Sequence, residues 1–276
     1  MPKAPAPSLL RACPSKLAGA VFDLTRYLAR IGLPGRPTLA ELHRAHVTAI
    51  LFENLDPLVG IPVSLDPDAI ARKLVDAGRG GYCFEHNLLL KAALEALGAR
   101  VEPILARVRN GLPATTVGPL THLLLRVEYE GATWHADVGF GQGTLLQPIP
   151  FGAGGPYEQL GWRYQVVQEG ALLVLQTATD EGWRDLYAFA PATAPAIDIE
   201  VSNWFTCTHP QSRFVTRLLV TEHGKDGSRT TLSDFGGEMV MSVQTPTGSK
   251  RLSIERESVP AVLEQRFGLR EPEPEE

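Results

Sequence analysis

The spacing of apolar residues changes once along this chain, at Gly98, and that change limits the fold classes open to it. Before Gly98 the pattern is helical. Residues 22–31 read as one helix stopped by Gly32 and Pro34. Thr38-Leu39-Ala40-Glu41 is a capping box opening a second helix toward Leu51, and residues 66–76 read as a third. Residues 84–97 follow, with Phe84, Leu88, Ala92 and Ala93 near helical spacing and Gly98 as the stop. After Gly98 the pattern is that of strands, at 101–108, 122–128, 133–138, 164–168, 172–176 and 186–189. Gly and Pro clusters such as 150–156 separate them. Residues 197–212 read as a short helical connection, 213–258 return to strands, and 259–267 form a closing helix. Helices first and sheet second define an α+β fold with a barrel-like sheet.

Within this frame, Arg79-Gly80-Gly81-Tyr82-Cys83-Phe84-Glu85-His86-Asn87 places one cysteine between a glycine turn and a helix. A thiol there meets unpaired N–H groups and the positive end of the helix dipole, which favour thiolate, and Arg79 adds positive charge. Taken alone, Cys83 reads as a buried core cysteine. A downstream hairpin changes that reading. Residues 120–130 and 132–140 read as strands joined at Glu130-Gly131. With that loop Tyr129 faces Ala132 and Leu124 faces Asp137, so His122 and Asp137 become diagonal neighbours on one face, roughly 7–8 Å apart at the backbone. A slip of one residue would separate them. A carboxylate on one imidazole nitrogen leaves the other for a thiol. His122 alone reads as an ordinary strand histidine, and so does His135.

Other positions have plainer readings. Glu53 and Arg79 are expected to form a buried ion pair bracing the cysteine turn, and Asn87, one helical turn after Cys83, to satisfy backbone near it. Gly139, Gly141 and Gly143 either present N–H groups to phosphates or simply end a strand. They do not spell a dinucleotide-binding motif. Cys83-x-x-His86 and Cys207-x-His209 lack the spacing of a zinc finger, so no metal is expected, and His86 reads as a helix-surface or packing residue.

The 276 residues suffice for a sizeable core in two or three subdomains, expected at 1–98, 99–196 and 197–276. Hydrophobic residues make up 44% and charged ones 21%, as in a globular protein, and the net charge of −5 argues against nucleic-acid binding as the main activity. Cys13, Cys83 and Cys207 show no disulfide framework, and a reducing, cytoplasmic setting fits. No signal peptide or membrane span is expected. The proline-rich start reads as a floppy arm and residues 270–276 as a disordered acidic tail.

The Arg79–Asn87 stretch and the order Cys83, His122, Asp137, the last within Asp137-Val138-Gly139-Phe140-Gly141, resemble the arylamine N-acetyltransferases. So do Phe52-Glu53-Asn54-Leu55-Asp56, Asn203-Trp204-Phe205, Thr208-His209-Pro210-x-Ser212-x-Phe214 and Gln265-Arg266-Phe267-Gly268-Leu269. The resemblance runs from about residue 22 to about 270. Leu51 stands where the family pattern has proline and Cys207 where it has a small hydroxyl residue. The resemblance implies a helical bundle, a β-barrel and an α/β lid around a cysteine-proteinase-like core. It implies ping-pong transfer of acetyl from acetyl-CoA, through a Cys83 thioester, to an aromatic amine or hydrazine. The co-substrate would need a local positive patch on this acidic chain. Phe52, Phe140 and Phe205 are then expected to line the acceptor pocket. Three alternatives stay open: an amide synthase or related thiol-triad acyltransferase with another donor, a thiol hydrolase or transglutaminase-like enzyme, and a ligand-binding module without catalysis. A homo-oligomer also stays open.

Overall fold

The computed structural model describes residues 22–113 and 115–272. The proline-rich start, Cys13 within it, and the last four residues of the acidic tail lie outside them. The described chain opens with α1 (Leu24–Arg30) and α2 (Leu39–Ala49). Thr38 and Glu41 form the reciprocal capping box that their spacing predicts. A two-residue strand β1 (Phe52–Glu53), the short helices α3 (Leu55–Leu58) and α4 (Pro67–Ala71), and a wide helical turn (Arg72–Asp76) lead to α5 (Cys83–Ala96).

Eight antiparallel strands follow: β2 (Arg100–Val108), β3 (Leu120–Tyr129), β4 (Ala132–Ala136), β5 (Ile149–Pro150), β6 (Gly154–Gln159), β7 (Trp162–Glu169), β8 (Leu172–Thr179) and β9 (Gly182–Phe189). Their spatial order is β5-β4-β3-β2-β9-β8-β7-β6, a nearly closed barrel-like sheet. The β3–β4 loop is Glu130-Gly131, both with positive φ (52° and 78°), the two-residue turn that suits strand twist. It sets the pairing Tyr129↔Ala132 through Leu125↔Ala136.

The chain then forms α6 (Ala196–Thr208), α7 (Arg213–Thr216), four antiparallel strands, β10 (Leu219–His223), β11 (Arg229–Phe235), β12 (Glu238–Thr245) and β13 (Gly248–Ile254), and α8 (Val259–Phe267).

The structure departs from the sequence reading in three places. The cluster at 150–156 does not merely separate strands, since Gly154-Gly155-Pro156 opens β6. That strand is the sheet edge and carries a register shift between Gly154 and Tyr157, where a missing N–H costs nothing. Residues 213–258 begin with a helical turn. Phe52–Glu53 pairs with Thr221 and Val220 of β10, far along the chain, and becomes the first strand of the C-terminal sheet.

Apolar residues of α1, α2 and α5 pack on Val101, Leu125, Val127 and Ala136 of the sheet's outer face. Leu42, Leu74 and Leu90 are fully enclosed there, each contributing about 1.5–3 kcal/mol of transfer free energy. The inner face closes over Ile104, Leu124, Tyr164, Leu186, Tyr187 and Phe189. A third cluster joins Phe52, Tyr82, Cys83 and Phe84 to Leu105 and Leu123 of the sheet and to Ile199 and Cys207 of α6. Cys83 therefore sits where the helical layer, the barrel and α6 meet. Among the described residues no helix is long and apolar enough to cross a membrane.

Candidate active site

The turn before α5 is held by close backbone approach. A Cβ on Gly80 would fall 2.2 Å from the Leu51 carbonyl oxygen, and one on Gly81 would fall 2.5 Å from Glu85 Oε2. Only glycine lets residues 80–81 lie against Leu51 and Phe52. There Gly81 N–H donates to Leu51 O (3.3 Å) and Glu53 N–H to Gly81 O (2.8 Å). Glu85 Oε2 accepts the Tyr82 N–H at 3.0 Å.

A partly buried charge network clamps the outside of this turn. Arg79 Nη2 lies 2.7 Å from Glu53 Oε1 and 2.8 Å from Asp56 Oδ1, and Lys73 Nζ lies 2.7 Å from Asp56 and 2.8 Å from Glu85. The Arg79 charge is thus spent on carboxylates rather than offered to the thiol. Glu53 and Arg79 do pair, inside a five-residue set that the sequence did not reveal.

Cys83 is the first residue of α5 and is buried, and its Sγ lies 3.6 Å from the Thr121 carbonyl oxygen. Burial pushes the thiol well above its ordinary range, against the pull of the Leu123 and Phe84 N–H groups, and Asp137 adds to the rise. Burial thus opposes the helix terminus, and a base beside the sulfur favours loss of its proton. His122 Nε2 lies 2.7 Å from Asp137 Oδ2, both groups buried. This is the pairing that the hairpin register requires. Nε2 carries the proton toward the carboxylate, and Nδ1 is the nitrogen left with a lone pair.

Asp137 receives four further contacts. The Tyr187 hydroxyl donates to Oδ2 (2.8 Å), Asn87 Nδ2 (3.1 Å) and the Gly139 N–H (2.9 Å) donate to Oδ1, and the Asp137 N–H donates to His43 Nε2 (3.2 Å). Burial alone would raise this carboxyl, but His122, Gly139 and Asn87 together hold it well below the usual carboxylate range. Asn87 also donates to Leu123 O (2.7 Å) and accepts from the Val138 N–H (3.2 Å), which ties α5, β3 and the end of β4 together. Gly139 lies against the cysteine. A Cβ there would fall 2.7 Å from Cys83 Cα.

The aromatic candidates take different places. Phe140 packs edge-on to the His122 ring, 4.9 Å between centroids. Phe52 stacks on His86 at 6.1 Å, and a Cβ on Gly141 would lie 3.4 Å from its ring. Phe205, in the last turn of α6, stacks on His209 at 4.4 Å. Of the glycines, Gly139 spends its N–H on Asp137. Gly141–Gly143 form one 3-10 turn, with the Gly141 carbonyl accepting from His223 Nε2 (2.9 Å). No group of three or more His, Cys, Asp or Glu among the described residues could hold a metal ion.

Sequence reasoning missed Tyr187 and the part of His135. His135 Nε2 lies 2.8 Å from the Tyr187 hydroxyl, so it joins the Asp137 network at one remove. No sequence signal marks this, because β9 comes to the site through its pairing with β2, with Tyr187 50 residues along the chain from Asp137. His86 is not a surface residue. Tyr27 donates to His46 Nδ1 (2.8 Å), His46 Nε2 meets His86 Nδ1 (2.9 Å), and His86 Nε2 donates to Leu51 O (3.0 Å).

Residues 37–273 match the family model described as N-acetyltransferase. An arylamine N-acetyltransferase of Mycolicibacterium smegmatis is 44% identical over 213 residues, 72% of this chain and 76% of the relative. An arylamine N-acetyltransferase / N-hydroxyarylamine O-acetyltransferase of Salmonella typhimurium is 37% identical over 87% of this chain and 84% of its own length. A solved structure of the Mycobacterium marinum arylamine N-acetyltransferase in complex with CoA superposes with a TM-score of 0.82 at 38% identity. It covers 89% of this chain and 92% of that one.

Proposed function

Because this chain belongs to the arylamine N-acetyltransferase family, we propose that Cys83, His122 and Asp137 are the triad through which it moves an acetyl group from acetyl-CoA to an arylamine or arylhydrazine. The observation that carries the assignment is the 2.7 Å His122–Asp137 pair beside buried Cys83, with Asn87 donating to both Cys83 O and Asp137 Oδ1.

The steps follow from that geometry. As Sγ attacks the thioester carbonyl of acetyl-CoA, its proton passes to His122 Nδ1. The bond from carbon to the CoA sulfur breaks, the CoA thiolate takes the proton from His122, and Cys83 holds a thioester. The acceptor nitrogen then attacks the same carbonyl and gives a proton to His122. The bond from carbon to Sγ breaks, and Cys83 regains its proton. In each half-reaction Asp137 stabilises the imidazolium and fixes its orientation. A neutral, weakly basic arylamine suits the second attack, since it keeps its lone pair near neutral pH.

Phe140 and Phe52 are the walls we assign to the acceptor, with Phe205 entering from α6. With the Gly139 N–H committed to Asp137, Gly141 and Gly143 are the backbone groups offered to the phosphates of CoA. Glu53, Arg79 and Asn87 brace the turn and the triad. The division we propose runs 1–98 for the helical bundle with the nucleophile, 99–196 for the barrel with His122 and Asp137, and 197–276 for an α/β lid. Pairing of β1 with β10 supports a lid seated on the cysteine turn. Two buried free cysteines fit a reducing cytoplasm.

Initial rates with both substrates varied test this scheme. Parallel double-reciprocal lines are expected, and lines that intersect would remove the covalent intermediate.

A further inference from the structure

We infer that His135 is a positioning residue for the triad, acting through the Tyr187 hydroxyl on Asp137. This rests on the triad reading above. The protons available fix the direction of each bond. Asp137 is a carboxylate and only accepts. The Tyr187 hydroxyl has one proton and lies 2.8 Å from Asp137 Oδ2, so that proton is committed to the carboxylate. The same oxygen lies 2.8 Å from His135 Nε2, which must therefore be the donor. All three groups are fully buried, so no solvent replaces either bond.

The ring's other nitrogen agrees. His135 Nδ1 is buried without a partner among the described residues. A stranded lone pair costs less than a stranded N–H, so the tautomer with its proton on Nε2 is favoured on both counts. Edge-on packing against Phe189 at 5.3 Å, together with Phe151, holds the ring in place. Burial keeps the ring neutral, with its pKa lowered to about 4. Asp137 opposes that shift, and His122 and His43 add to it. Arg126, which pairs with Glu102, faces His135 across the sheet.

The consequence falls on His122. Chained donors polarise one another, so a Tyr187 hydroxyl that accepts from His135 donates more strongly to Asp137. That donation competes with His122 for the same carboxylate oxygen. Weakening it frees Asp137 to hold the His122 proton more tightly and makes the imidazole more basic. Loss of His135 is therefore read as a change in the pH dependence of Cys83 acylation.

The experiment has two arms on the intact protein. The first is single-turnover acetylation of Cys83 by acetyl-CoA across pH in wild type, His135→Leu and His135→Gln. The acid limb is expected to move up by roughly 0.3–0.5 pH unit in the leucine variant. That is a two- to threefold slower reaction below the limb, with recovery toward wild type in glutamine, whose amide can donate. A leucine variant that melts like wild type and keeps the limb unmoved would overturn the assignment. The second arm holds even where a variant fails to fold. Histidine nitrogen resonances of the wild-type protein should show His135 protonated at Nε2, and protonation at Nδ1 would overturn it. If wild-type Cys83 takes no acetyl group, the triad reading fails by itself, while the tautomer still reports on His135.

Discussion

Asp137 is held by four side-chain hydrogen bonds, two to each oxygen, and every partner is a donor. An asparagine here would turn an amide NH2 toward donors and push His122 into the other tautomer. We expect Asp137→Asn to slow Cys83 acylation by about 10³–10⁴-fold in a folded protein. Single-turnover rates within tenfold of wild type would remove Asp137 from the mechanism. Gly139→Ala would place a methyl group 2.7 Å from Cys83 Cα and 2.9 Å from Asn87 Nδ2. It should cost about 1–3 kcal/mol of stability as well as activity, and an unchanged urea midpoint would contradict that. The His122–Asp137 pairing was legible in the sequence because a two-residue turn fixes register, and register fixes which side chains share a face. Tyr187 and His43 were not, because they reach Asp137 from β9 and from α2, nor was the part of His135, which meets Asp137 only through Tyr187. No local pattern encodes those approaches.

At the scale of elements, the Tyr27–His46–His86–Leu51 chain links α1, α2 and α5 to the strand against which the cysteine turn is laid. Its proton order is fixed, since Tyr27 donates inward and Leu51 O accepts at the far end. His86→Leu would strand the His46 N–H and remove one of two donors to Leu51 O, the other being Gly81. A loss of about 1–3 kcal/mol follows from one buried orphan, and equilibrium urea unfolding measures it. A midpoint equal to wild type would show that the chain bears no load. Elements with a local signature were readable, as in the Thr38/Glu41 box of α2, the Glu130-Gly131 hairpin and the closing helix α8. The strand β1 was not, since two residues carry no periodicity and their partner is β10. The start of β6 was not either, because Gly154, Gly155 and Pro156 are strand breakers everywhere except at an edge or a bulge.

Taken as a whole, the molecule keeps five of its seven histidines buried with depressed pKa values. Burial lowers His43, His86 and His135 to about 4 and His223 to about 3, and it holds His46 well below its ordinary value. The unfolded chain takes up protons near pH 6.5 while the native state does not, so stability is complete above that pH and is lost as pH falls toward 4. Each group adds a slope of at most ~1.4 kcal/mol per pH unit, and the depressed Asp137 extends the loss at still lower pH. Melting temperature should be flat between about pH 7 and 8 and fall steeply below 6.5. A melting temperature level down to pH 5 would contradict the burial of neutral rings. The central claim, that Cys83 carries the acetyl group between donor and acceptor, is tested most directly by intact mass after mixing with acetyl-CoA alone. Peptide mapping and a Cys83→Ala control accompany it. One added acetyl group on Cys83, discharged when an arylamine is added, is the predicted result. An unmodified protein whose Cys83 still reacts with a thiol reagent would contradict it and point to another acyl donor.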